Sequence, residues 1–174
     1  MPRRWAEARA AALKAALLIT IPCGGEARDV GVWKTIERRD GGRGLRAAGD
    51  NGTAVELGCE RPGPASVQLT IEFGRPIGDD AASDAYHIHA AKYQLDGGQW
   101  RSLPTIFYRG SSAAIVADPE RSEVIKLLAA ARPNTMAVSV RTFDGDEAIV
   151  SAEVRGLPAA VTAAAKQCDD RTVE

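Results

Sequence analysis

Two stretches decide how this chain folds: Val55-Glu-Leu-Gly-Cys59 and, beyond Arg61-Pro-Gly-Pro64, Val67-Gln-Leu-Thr-Ile-Glu-Phe73. In the first, Val55, Leu57 and Cys59 alternate with Glu56 and Gly58. In the second, Val67, Leu69, Ile71 and Phe73 alternate with Gln68, Thr70 and Glu72. A period of two places successive side chains on opposite faces of a strand, so each stretch has one apolar and one wet face. The Pro/Gly break between them reads as the turn of an antiparallel pair. Cys59 then points into a core at the end of its strand.

Working outward, residues 79–84 are small and polar and read as a loop. Residues 85–95 form a long candidate strand, stopped by Asp96-Gly97-Gly98. Residues 103–109 and 112–117 are shorter strands on either side of Gly110, and Pro104 suits 103–109 to a sheet edge. Residues 136–143 and 148–154 flank Asp144-Gly145-Asp146-Glu147, a hairpin with an Asp-Gly turn. Two segments have helical spacing instead. Asp118 and Pro119 open one as N-cap and first helical residue, Val124, Leu127, Leu128 and Ala131 form its stripe, and Pro133 stops it. The other, 157–167, follows Gly156 with Leu157, Ala160, Val161 and Ala164 on one face and Cys168 at its end. About eight strands and two short helices make an α+β, predominantly antiparallel β domain over residues 28–168, a sandwich or partly open barrel. Residues 169–174 read as a polar tail.

The N-terminus reads as an address. Arg3, Arg4, Arg9 and Lys14 precede a nine-residue run from Ala15 to Cys23, and Gly24-Gly-Glu-Ala27 follows. A basic start, a short apolar middle and a small-residue exit describe a secretory signal peptide over residues 1–27, cleaved after Ala27. The alternative is an ordinary amphipathic N-terminal helix. The run is shorter than the roughly 20 residues of a membrane span, and no later stretch is long and apolar enough for stable membrane insertion. Thr20-Ile21-Pro22 lacks the small residue expected before a lipidated cysteine. Four of the 22 basic and two of the 23 acidic residues lie in residues 1–27, leaving the mature chain with a formal net charge of −3. That balance gives no nucleic-acid footprint, which needs a basic excess. A periplasmic or secreted location is the expectation.

Cleavage removes Cys23 and leaves Cys59 and Cys168. An oxidising compartment favours their pairing, and the alternative is two buried free thiols. A bridge over that span would stabilise the fold by about 4–5 kcal/mol in the chain-entropy picture.

Candidate chemistry is sparse. His87 and His89, the two histidines of the chain, sit two apart on the predicted strand and project to one side. That spacing can offer two imidazoles to a metal or form part of a glycan-binding face, but no third ligand is evident. The plain alternative is two solvent-facing rings. Ser111 and Ser112 after Gly110 lack a nucleophile elbow, and Gly41-Gly42 lacks the lysine and helix of a phosphate loop. No enzyme activity and no cofactor is indicated. Trp33, Tyr93 and Trp100 are candidate aromatic contacts for a binding surface, with burial in the core as the alternative.

The ordered landmarks are Gly31-Val-Trp33, Val55-Glu-Leu-Gly-Cys59, Tyr93-Gln-Leu-Asp-Gly-Gly-Gln-Trp100, the apolar helix Val124–Ala131, Phe143 and Gly156-Leu-Pro-Ala-Ala-Val with Cys168. In this order the chain resembles exported bacterial proteins of the invasion-associated locus B type and is similar to VasI-type accessory proteins of type VI secretion systems. The invasion-type pattern has a cysteine soon after the tryptophan, whereas none occurs between Trp33 and Cys59, which favours the VasI-type arrangement. The resemblance implies a non-enzymatic periplasmic or surface protein with a paired cysteine, and it supplies no catalytic residues. The expected role is contact with an envelope or secretion-system protein by a monomer or weak oligomer, through a sheet face or edge strand.

Intact mass of the protein recovered from the periplasm tests export and pairing together. The expected chain begins at Arg28 and is alkylated at Cys59 and Cys168 only after reduction. A full-length product alkylated at all three cysteines without reductant overturns both.

Overall fold

The structure is a computed structural model that describes residues 29–38, 42–59, 62–63, 66–78, 87–107, 112–116 and 121–170. The signal segment, the 79–84 loop, the Asp118–Pro119 helix start and the last four residues of the tail lie outside them. The described strands are β1 (Lys34–Glu37), β2 (Arg43–Ala48), β3 (Ala54–Cys59), β4 (Val67–Glu72), β5 (His87–Leu95), β6 (Arg101–Phe107), β7 (Ala113–Val116), β8 (Thr135–Arg141) and β9 (Glu147–Glu153). The described helices are α1 (Arg121–Ala131) and α2 (Leu157–Asp169).

All pairings are antiparallel, in the order β1-β2-β3-β4-β7-β6-β5-β8-β9. The ladder folds over on itself as an α+β sandwich and does not close into a barrel. β4 meets β7 through three register pairs, Thr70↔Ile115, Ile71↔Ala114 and Glu72↔Ala113. At the far end β9 returns to contact β2 and β3, and a lone bridge joins Gly49 to Ala152. The approach there is close. A Cβ on Gly49 would stand 2.4 Å from the Ser151 carbonyl oxygen, so the position admits no side chain without backbone movement.

Register explains the core. Leu45 pairs with Leu57 and Leu57 with Leu69, Ala47 with Val55 and Val55 with Ile71, and Cys59 with Val67. These residues share one face and are buried with Tyr93, Val138 and Val150 from the other half. Beta9 alternates as its sequence suggests, with Ala148, Val150 and Ala152 buried and Ile149, Ser151 and Glu153 exposed. α2 lies on β2, β3 and β4, and α1 packs on α2 and β4. α2 turns Leu157, Ala160, Ala164 and Cys168 inward, and Cys168 is bonded to Cys59 with their Cα atoms 5.4 Å apart. The Cys168 carbonyl also accepts the Gly63 N–H at 2.7 Å.

Several expectations need correction. Nine strands are described, in keeping with about eight; β1 and β2 are the two that no alternating run marks, since β1 has four residues and Arg-Gly-Leu-Arg-Ala-Ala carries little β propensity. The described part of the 103–109 run, 103–107, is not an edge. β6 pairs with β5 on one side and β7 on the other, and Pro104 is accommodated because the β7 pairing starts only at Thr105. α1 buries Ile125 and Leu128, while Leu127 is exposed, so its core stripe is rotated from the expected one. α2 continues to Asp169, one residue into the expected tail.

Urea unfolding of the Cys59→Ser/Cys168→Ser double variant should show a loss of about 4–5 kcal/mol, the loop-closure value for a bridge spanning 109 residues. A loss under about 1 kcal/mol would show that packing alone holds α2 in place.

Candidate functional site

The face of β1–β4 and β7 opposite the core is polar and concave. Its described lining includes Arg38, Arg46, Glu56, Thr70, Glu72 and Ile115, around a cavity of about 660 Å³. The same register that stacks the leucines builds this lining. Arg46 pairs with Glu56, Glu56 with Thr70 and Thr70 with Ile115. One step along, Ala54 pairs with Glu72 and Glu72 with Ala113. On the other side of the Arg46 row, Gly44 pairs with Gly58 and Gly58 with Gln68.

That glycine pair seats an arginine. A Cβ on Gly58 would stand 2.0 Å from Arg38 Nη1, and one on Gly44 would stand 3.3 Å from Arg38 Cδ. The Arg38 side chain therefore lies flat over two strands. It donates from Nη1 to the Cys59 carbonyl at 3.3 Å and from Nη2 to Gln68 Oε1 at 3.1 Å. Arg46 forms an ion pair with Glu56 and reaches the Gly52 carbonyl at 3.5 Å. Glu72 accepts from Ser112 Oγ at 3.4 Å.

The described lining holds three carboxylates, Glu37, Glu56 and Glu72, against two guanidinium groups, Arg38 and Arg46. Burial raises the Glu56 carboxyl above its ordinary range; Arg46 opposes the shift, and the nearby Glu72 charge adds to it. The desolvation of a half-buried carboxylate thus outweighs its ion pair.

Of the described residues singled out in the sequence, Cys59 and Cys168 are bonded to each other and share one core with Trp33 and Tyr93. Trp33 is fully buried and Tyr93 is 5% exposed, so both belong to the core and neither offers a contact surface. Trp100 is 43% exposed, on the connection between β5 and β6. His87 and His89 occupy β5 opposite Phe107 and Thr105; their side chains lie outside the described residues. Among the described residues no group of three or more potential ligands could hold a metal, and no helix is long and apolar enough to cross a membrane. Along the sequence the trough residues read as solvated charges on a wet strand face. The signal that marked them was glycine at strand positions 44 and 58, where something approaches the backbone closely.

Comparison with models of known protein families, with curated proteins and with solved structures finds no match in any of the three.

A raised carboxylate pKa means that the folded chain holds the proton more tightly than the unfolded one. Its stabilising contribution is complete below the ordinary value of 4.5 and is lost as pH rises through the elevated one. Urea unfolding of wild type and Glu56→Gln at pH 4 and pH 7 should therefore show wild type losing ground to the variant as pH increases. Parallel behaviour at both pH values would mean that Glu56 is not held out of water.

Proposed function

We propose that this chain is an exported, non-enzymatic binding protein of the cell envelope or its exterior, acting as an accessory to a secretion system by contact with another protein. The contact surface is the trough on the outer face of β1–β4 and β7. Export is supported by the basic, apolar and small-residue order of residues 1–27 and by a disulfide suited to an oxidising compartment. The accessory role is supported by the ordered resemblance to VasI-type proteins.

The observation that carries the choice of surface is the guarding of both strand edges. Among the described residues β1 and β9 pair on one side only. On β1 the Thr35 N–H is taken by Asp29 Oδ1 at 3.0 Å. On β9 the Glu147 carbonyl accepts from Arg75 Nη2 at 3.2 Å, and Ala152 is bridged to Gly49. Edges with capped backbone groups are poor templates for strand addition. The trough presents fixed charges in a cavity of binding-site size.

A photo-crosslinking residue at Ser112, in the trough, should yield a discrete adduct in intact cells, and the same residue at Lys126, on exposed α1, should not. Equal yield from the two positions, or no adduct at Ser112, would overturn the choice of surface.

A further inference from the structure

Within the trough one corner is incomplete in a way that specifies what completes it. Glu72 is only partly exposed, and its cross-strand neighbours on both sides are alanines, Ala54 and Ala113. Its described side-chain partner is a neutral hydroxyl, that of Ser112. The two nearby guanidinium groups are engaged elsewhere, Arg46 on Glu56 and Arg38 on Cys59 and Gln68. Thr70 precedes Glu72 by two residues on the same strand and faces Glu56 across the ladder. It is 8% exposed and lines the cavity, with its hydroxyl open to that space. Ile36 and Ile115 supply aliphatic wall beside these polar groups.

We propose that the Glu56–Thr70–Glu72 corner seats the cationic end of an arginine or lysine side chain presented by the partner protein. The proposal rests on the trough being the contact surface. A guanidinium or ammonium group would meet Glu72, donate a hydrogen to the Thr70 hydroxyl and offset the acidic excess beside Glu56, while its methylene stem lies on Ile36 and Ile115. Arginine fits best, because a planar fork can address a carboxylate and a neighbouring oxygen together.

The test titrates acetyl-Gly-Arg-Gly-amide into the isotopically labelled full chain and follows backbone amide shifts. The control is the isosteric neutral peptide with citrulline in place of arginine. The arginine peptide should shift the amides of residues 54–56, 70–72 and 113–115. The citrulline peptide should bind at least tenfold more weakly. Glu72→Gln should weaken arginine-peptide binding at least tenfold, Thr70→Val several-fold, and Lys92→Gln, on the other half of the sandwich, not at all. Ala113→Arg keeps both acids but places a tethered guanidinium opposite Glu72, and it should abolish binding while raising the melting temperature. Spermidine separates the sources of the cation: binding as tight as the peptide's would mean that a free amine, not a polypeptide side chain, is the ligand.

Equal binding of the citrulline peptide, or no effect of Glu72→Gln in a variant with wild-type amide dispersion, overturns the proposal. If the Ser112 adduct forms in cells and Ala113→Arg prevents it, while the arginine peptide does not bind, the cation seat falls and the contact surface stands. If the adduct is absent as well, both fall.

Discussion

Leu45, Leu57 and Leu69 stand side by side across β2, β3 and β4, and both the core and the trough depend on that alignment. Side chains alternate strictly along a strand, so aligning the leucines on one face also aligns Arg46, Glu56 and Thr70 on the other. A slip of one residue in any of these pairings would expose the leucines and bury the charges. The core therefore enforces the geometry of the polar face. Apolar burial supplies the free energy, and the cavity lining inherits its precision.

The disulfide serves the same alignment from the other side. A sheet with few aromatic residues needs cover for its apolar face, and α2 supplies it largely with alanine, through Ala160 and Ala164. Alanine buries little area per residue. The Cys59–Cys168 bond and the Gly63–Cys168 hydrogen bond fix the end of α2 against the end of β3. Cross-linking residues so far apart in sequence limits the unfolded chain most, which compensates for a modest helix–sheet contact.

The trough departs from what stability alone would favour. A half-buried Glu56 raised by desolvation and a second carboxylate beside it both work against folding in isolation. Positions where local energetics are sacrificed on an otherwise consistent fold are where function concentrates. At the sheet's borders Asp29 takes one backbone N–H of β1 and Arg75 caps one carbonyl of β9.

Much of the fold is legible in the residues. The alternation in 55–59, 67–73 and 148–154 fixes those strands and their inner faces, and Gly156 with the alanine-rich run after it fixes α2. Cys59 at the end of an inward-facing pattern and Cys168 at the end of a helix are readable as partners. These signals are local, since each comes from a backbone period or a capping preference within a few residues. What needed the tertiary structure is set by contacts distant in sequence. β6 is interior rather than an edge because β7 comes back beside it; Trp33 and Tyr93, from opposite halves of the sheet, are core because the two halves close on each other. The trough is the clearest case. Arg38, Arg46, Glu56, Thr70 and Glu72 are unremarkable polar residues along the chain, and only the cross-strand register, decided by where the leucines must stack, gathers them into one charged cavity.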